Sequence, residues 1–223
     1  VTFLEAHRQR GHRVRFDWGP TGAAAVAADV AVVVDVLSFT TTVTIAAERG
    51  IAVRPSPWRP AEDAGHRGRG LAPSAMAERA HVEELVVPSP NGSALAFGLA
   101  ETGARVVAGC LRNRTAVAAW LDASATVAVV AAGERWPDGS LRPCAEDLWG
   151  AGAVLALLPE ADLSPEARVA AAAFRAAPLP SGLHEVAGAL ELHAIGYGAD
   201  VTLAAELDAA SVVPELRGGV FRT

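Results

Sequence analysis

The chain has 223 residues, 51% of them hydrophobic, and a formal net charge of −6 at pH 7. All 19 basic residues are arginine, so Schiff-base and P-loop lysine chemistry are both closed to it. A pI near 5.5 gives no electrostatic footprint for nucleic acid, no apolar run reaches the roughly 18 residues of a membrane span, and the two cysteines have no zinc-type spacing.

Val14–Phe16 reads as a short first strand. Asp29–Val36 is a continuous apolar run between acids, which suits a buried strand. Ser38–Arg49 follows as a helix, with Ser38 as N-cap and Gly50 as stop, and Ile51–Arg54 as a strand completes a βαβ unit. Pro55–Pro73 is rich in Pro, Gly and Arg and has no period, so residues 55–75 read as a long loop, a candidate lid. Met76–Glu84 is expected to be helical, Glu84–Val87 a strand, Ser93–Thr102 a helix and Arg105–Ala108 a strand. Asn113–Leu121 reads as a helix, Ala125–Ala132 as a central strand and Gly133–Pro143 as a loop. Ala145–Leu158 and Pro165–Ala176 are helices, short helices continue to Leu207, and Ser211–Val213 is a terminal strand. This alternation predicts an α/β fold, a largely parallel or mixed sheet with flanking helices. A single domain over 1–223 is expected, with two sub-domains divided near 105–125 as the alternative. Of the residues, 49 are alanine, yet Leu, Ile, Val and Phe still supply about a quarter of the chain, enough for a core. The first residues carry no charged-then-apolar leader pattern, and a cytoplasmic protein is the expectation.

In open α/β sheets, ligands bind beyond the carboxyl ends of the strands. Four strand-to-helix turns therefore hold the candidate chemistry. The first runs from Asp35 through Ser38 to Thr40, Thr41 and Thr42. An acid ending an apolar strand is costly to bury unless it is paired or binds a metal, and the free amides of the helix start favour an anion; the alternative is a Ser or Thr cap with Asp35 bonded to a neighbouring loop. The second turn is Ser89-Pro90-Asn91-Gly92-Ser93, which reads as a phosphate cradle or as ordinary loop-to-helix punctuation. The third places Asn113 and Arg114 at a helix start, either an anion site or a capped helix with exposed arginine. In the fourth, Glu146 and Asp147 open an Ala- and Gly-rich helix, as dipole complements or as ligands of a hard cation such as Mg²⁺. There is no His-x3-His pair and no Gly-x-Ser-x-Gly elbow, and the Gly-x-Gly at Gly68–Gly70 follows no strand.

The order of these turns is more specific than any one of them. Asp35-Val36-Leu37 with Thr40–Thr42, then Asn91-Gly92-Ser93, then Asn113, then Ala132-Gly133 with Glu146-Asp147 and Ala151-Gly152 resembles the 2-phosphosulfolactate phosphatase family, over about residues 14–215. The resemblance implies an α/β, Mg²⁺-dependent phosphomonoesterase that releases phosphate from a small phosphorylated acid, a step toward coenzyme M. Nucleic-acid and membrane partners are not implied, and a homo-oligomer is compatible with it. By that resemblance Asp35, Glu146 and Asp147 hold the metal or position water. Thr40, Thr41, Thr42, Asn91, Gly92, Ser93 and Asn113 match the family's polar turns and are expected to bind substrate, with Ser38 and Arg114 as further candidates from the turns themselves. The family usually has Arg-Ala after Asp-Val-Leu, where this chain has Ser38-Phe39. Arg54, Arg59, Arg67 and Arg69 are candidates to restore that charge. The rival readings are a non-catalytic relative that binds an anionic metabolite or a partner protein, and a phosphatase of the same fold with another substrate.

Overall fold

The apolar run after Asp29 becomes β2 (Val30–Val34), every residue of which is buried. The computed structural model describes residues 2–57, 71–121, 123 and 125–223. Parallel to β2 on either side lie β5 (Arg105–Gly109) and β6 (Val127–Ala131), and β1 (Val14–Trp18) pairs in parallel with β6 at the edge. Strands without polar alternation must be covered on both faces. Val30, Val32 and Val34 pack into one cluster with Ala151 and Val154 of α6 (Ala145–Leu155) and Ala167 and Ala170 of α7 (Pro165–Ala176). Ala31 and Val33 point the other way, to Val43 and Ile45 of α2 (Phe39–Glu48) and Leu95 and Leu99 of α4 (Gly92–Ala100). The small residues set how close the layers come: a Cβ on Gly152 would lie 2.1 Å from the carbonyl oxygen of Ala170.

The eight-stranded sheet has the order β1-β6-β2-β5-β9-β10-β3-β4. Here β3 is Ala52–Pro57, β4 Glu84–Ser89, β9 Glu215–Arg217 and β10 Val220–Arg222. The expected βαβ unit at 29–54 is therefore corrected. The hairpin β9–β10 inserts between β5 and β3 through antiparallel ladders, so β3 and its parallel partner β4 run opposite to β2. Even so, Gly92 N–H reaches Asp35 Oδ2 (2.9 Å) and Ser93 Oγ–H reaches the carbonyl of Ser56 (2.6 Å). The sheet thus coils enough to bring the ends of β3 and β4 back to the end of β2.

Other boundaries differ for local reasons. Gly19–Ala25 forms an unexpected helix, α1, with Pro20 in its first turn. The helix expected at 76–84 is α3 (Pro73–Glu78), started by Pro73. The expected loop 133–143 carries a hairpin, β7 (Glu134–Arg135) and β8 (Leu141–Arg142). Ser211–Val213 is not a strand. The chain pairs later, on either side of Gly218 and Gly219, whose positive φ values of 58° and 78° make the two-residue turn. Between Asn113 and Leu121 lies α5 (Arg114–Trp120), and α8 (Ala187–Ala194) and α9 (Gly198–Ala204) follow α7. Most of the expected 55–75 loop, with Arg59, Arg67, Arg69 and the Gly68–Gly70 segment, lies outside the described residues. Among the described residues no helix is long and apolar enough to cross a membrane.

Candidate active site

Asp35 leaves the carboxyl end of β2 and is only 6% exposed. Its carboxylate sits between two helix starts. Oδ1 accepts from the N–H of Phe39 (3.2 Å), the first residue of α2, and Oδ2 accepts from the N–H of Gly92 (2.9 Å), the first residue of α4. Ser89 Oγ–H adds a longer bond to Oδ2 (3.3 Å). The protein's own carboxylate thus sits where dipole and free N–H groups favour an anion, as in the reading of Asp35 bonded to a neighbouring loop. Ser38 makes no side-chain cap to α2. Thr40 locks the turn, accepting from Asp35 N–H (3.0 Å) and donating to Asp35 O (2.8 Å). Thr41 donates to Val36 O (2.8 Å), so both hydroxyls serve the backbone.

A cavity of about 260 Å³ opens beside this carboxylate, walled by Asp35, Ser38, Thr42, Ser89, Pro90 and Asn91. Of the expected substrate-binding residues it therefore gathers Ser38, Thr42 and Asn91, with Gly92 fastened to Asp35. Ser93 is wholly buried and is spent on Ser56. Asn113 is not part of this site. Its amide closes the β5–α5 turn, accepting from Cys110 N–H (2.9 Å) and donating to Ala108 O and Val212 O (both 3.1 Å). Arg114 pairs with Asp208 (2.8 Å) and lies over the ring of Phe174. Arg54 pairs with Glu84 (2.8 Å) on the far part of the sheet. Ser89 was missed as a site residue, although it stands two residues before Asn91, where a hydroxyl can accept from the turn. It takes the N–H of Asn91 (3.2 Å) and of Gly92 (3.1 Å).

Glu146 and Asp147, in the first turn of α6, stand behind this turn. Asp147 is a clamp: Oδ1 accepts from Val36 N–H (2.7 Å) and Oδ2 from Gly133 N–H (2.9 Å), tying the exit of β2 to the exit of β6. Burial pushes its carboxyl well up, and repulsion from Asp35 and Glu146 pushes it further. Glu146 is 2% exposed, and burial followed by repulsion from Glu134 pushes it up to about 7. Glu134 is raised as well, by burial first, with Arg142 opposing. The two glutamates meet over a bare Cα: a Cβ on Gly188 of α8 would lie 2.7 Å from Glu146 Oε1 and 3.0 Å from Glu134 Oε1.

These carboxylates can be tested against the implied Mg²⁺. Among the described residues no three His, Cys, Asp or Glu side chains are arranged to enclose a metal ion. Mg²⁺ does not require such a cage, since it keeps several waters and takes one or two carboxylates beside a substrate phosphate. Asp35 meets that demand from the cavity wall, and Glu146 is a second carboxylate, buried and outside that cavity's described lining. Asp147, like Asp35, has both oxygens on backbone amides, and it stands outside that cavity's described lining.

A model of the 2-phosphosulpholactate phosphatase family matches residues 62–219, which is most of the chain and includes Asn91, Asn113, Glu146 and Asp147. Asp35 and the first three strands precede the matched segment. A search of curated proteins gave no match. The chain belongs to the 2-phosphosulpholactate phosphatase family, a family of phosphatases.

Proposed function

We propose that this protein hydrolyses a small acidic phosphomonoester of the 2-phosphosulfolactate kind, with Mg²⁺, to the alcohol and phosphate. The observation that carries the reading is the Asp35 carboxylate, fixed by the first amides of two helices on the wall of a cavity with hydroxyl and amide side chains. The phosphoryl group enters beside Asp35. Ser38, Thr42 and Asn91 donate hydrogen bonds to its oxygens, and their fixed positions stabilise charge that grows in the transition state. Asp35 and Glu146 would hold the cation, which when bound polarises a phosphoryl oxygen and acidifies a water. Asp147 keeps the exits of β2 and β6 in register, so Asp35 stays where the two helix starts aim it.

Phosphate release from a panel of phosphorylated hydroxy acids is expected to need Mg²⁺ and to be lost in Asp35→Ala. Full activity of Asp35→Ala in excess EDTA would overturn the reading. Binding of these acids without turnover, seen as thermal stabilisation, would favour a non-catalytic relative.

A further inference from the structure

The resembled family leads one to expect an arginine after Asp-Val-Leu, and this chain has Ser38-Phe39 there. The first cavity has no cationic side chain among its described lining residues. A second cavity, of about 600 Å³, adjoins it. Pro90 and Asn91 wall both, and the rest of its wall includes Glu134, Arg135, Trp136 and Arg142 of the β7–β8 hairpin, with Glu191 of α8. The hairpin is not loosely placed. It leaves the end of β6 at Gly133, whose φ of +64° a side chain would resist and whose N–H is held by Asp147. Leu141 packs against that glycine, 2.9 Å from where its Cβ would be.

Within the hairpin, Arg142 is the oriented cation. Its guanidinium lies over the ring of Trp136, 5.2 Å from the centroid, and its Nη1 bonds Glu134 Oε2, its cross-strand partner. Stacking on one face and a carboxylate on one edge fix the plane of the fork and leave further donors on it. Trp136 is 52% exposed and lines the second cavity.

We propose that Arg142, braced by Trp136, binds the second acid group, a carboxylate or sulfonate, of a substrate whose phosphate lies beside Asp35. This rests on the phosphatase reading above and adds where substrate selection occurs. A planar carboxylate, or two of the three oxygens of a tetrahedral sulfonate, suits the arginine fork, and Asn91 at the shared wall sets the spacing between the two charges. Arg142 is a specificity residue, and Glu134 is the internal anion it holds when the pocket is empty.

The test compares phosphoglycolate, which carries a carboxylate, with ethyl phosphate, which does not. Arg142→Gln is expected to raise KM for phosphoglycolate by about 10- to 100-fold, with KM for ethyl phosphate within about twofold. Arg142→Lys should recover part of the loss, and Trp136→Leu should weaken phosphoglycolate in the same direction by less. An equal loss on both substrates, or no change on either, overturns the proposal and leaves the Arg142–Glu134 pair a hairpin brace. If the wild type turns over neither substrate, the phosphatase reading fails separately. Thermal shift then decides the subsite: stabilisation by phosphoglycolate over ethyl phosphate that disappears in Arg142→Gln supports it, and equal shifts in both proteins overturn it.

Discussion

Replacing Glu146 by glutamine should stabilise the protein at pH 8 and leave it nearly unchanged at pH 4. Glu146 is 2% exposed, and its carboxyl is pushed from the ordinary 4.5 up to about 7, by burial first and by Glu134 second. A folded-state value above the unfolded one means that the native protein binds the extra proton between them. The contribution of this carboxyl to stability is therefore highest below pH 4.5 and falls as pH rises through that window, reaching its full loss above about 7. A window of about 2.5 pH units at ~1.36 kcal/mol each corresponds to a loss on the order of 3 kcal/mol. Glutamine carries no charge at any pH and still offers an oxygen where the Cys144 thiol bonds Glu146. Asp147 is raised in the same direction in both proteins, so most of its contribution cancels in the difference. Urea unfolding at pH 4, 6 and 8, with EDTA present, should show the variant's advantage growing from near zero to roughly 2–3 kcal/mol. A difference that does not change with pH, or a variant less stable than wild type at pH 8, would refute the reasoning. Phosphatase activity should fall in the same variant, because the buried acid is retained at a cost in stability.

Two further substitutions probe the close contacts. Gly152→Ala places a Cβ 2.1 Å from Ala170 O and 2.8 Å from Phe174 Cβ. A backbone oxygen cannot rotate away, so α6 and α7 must separate. After the ~1 kcal/mol that alanine adds to a helix, the net loss should be about 1–3 kcal/mol, read as a melting temperature lower by about 3–10 °C; an unchanged melting temperature would count against this packing. Gly92→Ala brings a Cβ within 2.6 Å of both Asp35 Oδ2 and Phe39 Cδ1. Displacing that turn by about an ångström should cut kcat/KM on the order of 100-fold, with a small change in melting temperature, and unaltered kinetics would show that Asp35 does not depend on the Gly92 amide.

Much of the fold is written in local pattern. The valine runs at 30–34 and 127–131 have no polar alternation, and a strand of that kind has only one place to go, the middle of a covered sheet. Asp35 at the end of one run, and Asn91-Gly92 before an apolar helix, mark strand-to-helix junctions without any tertiary knowledge. Asn113 shows the limit of such reading. Its position at a helix start suits an anion site, but its amide is consumed by Ala108 and Val212, and Val212 is 99 residues further on.

What the amino-acid order determined is the two central valine strands and the helix starts after Ser38, Asn91 and Cys144, with the acids placed beside them, because capping, period and turn chemistry act within a few residues. What only the tertiary structure decided is who meets whom. The pairing of Val107 with Glu215 and of Phe221 with Val53 seats a C-terminal hairpin inside the sheet and reverses β3 and β4. The bonds from Val36 and Gly133 to Asp147 make that acid a clamp between the exits of β2 and β6. The amides of Phe39 and Gly92, from helices far apart in the chain, meet on Asp35. These outcomes depend on loops closing between residues far apart in the chain, and on which buried donor reaches which acceptor first, and neither leaves a local mark in the sequence.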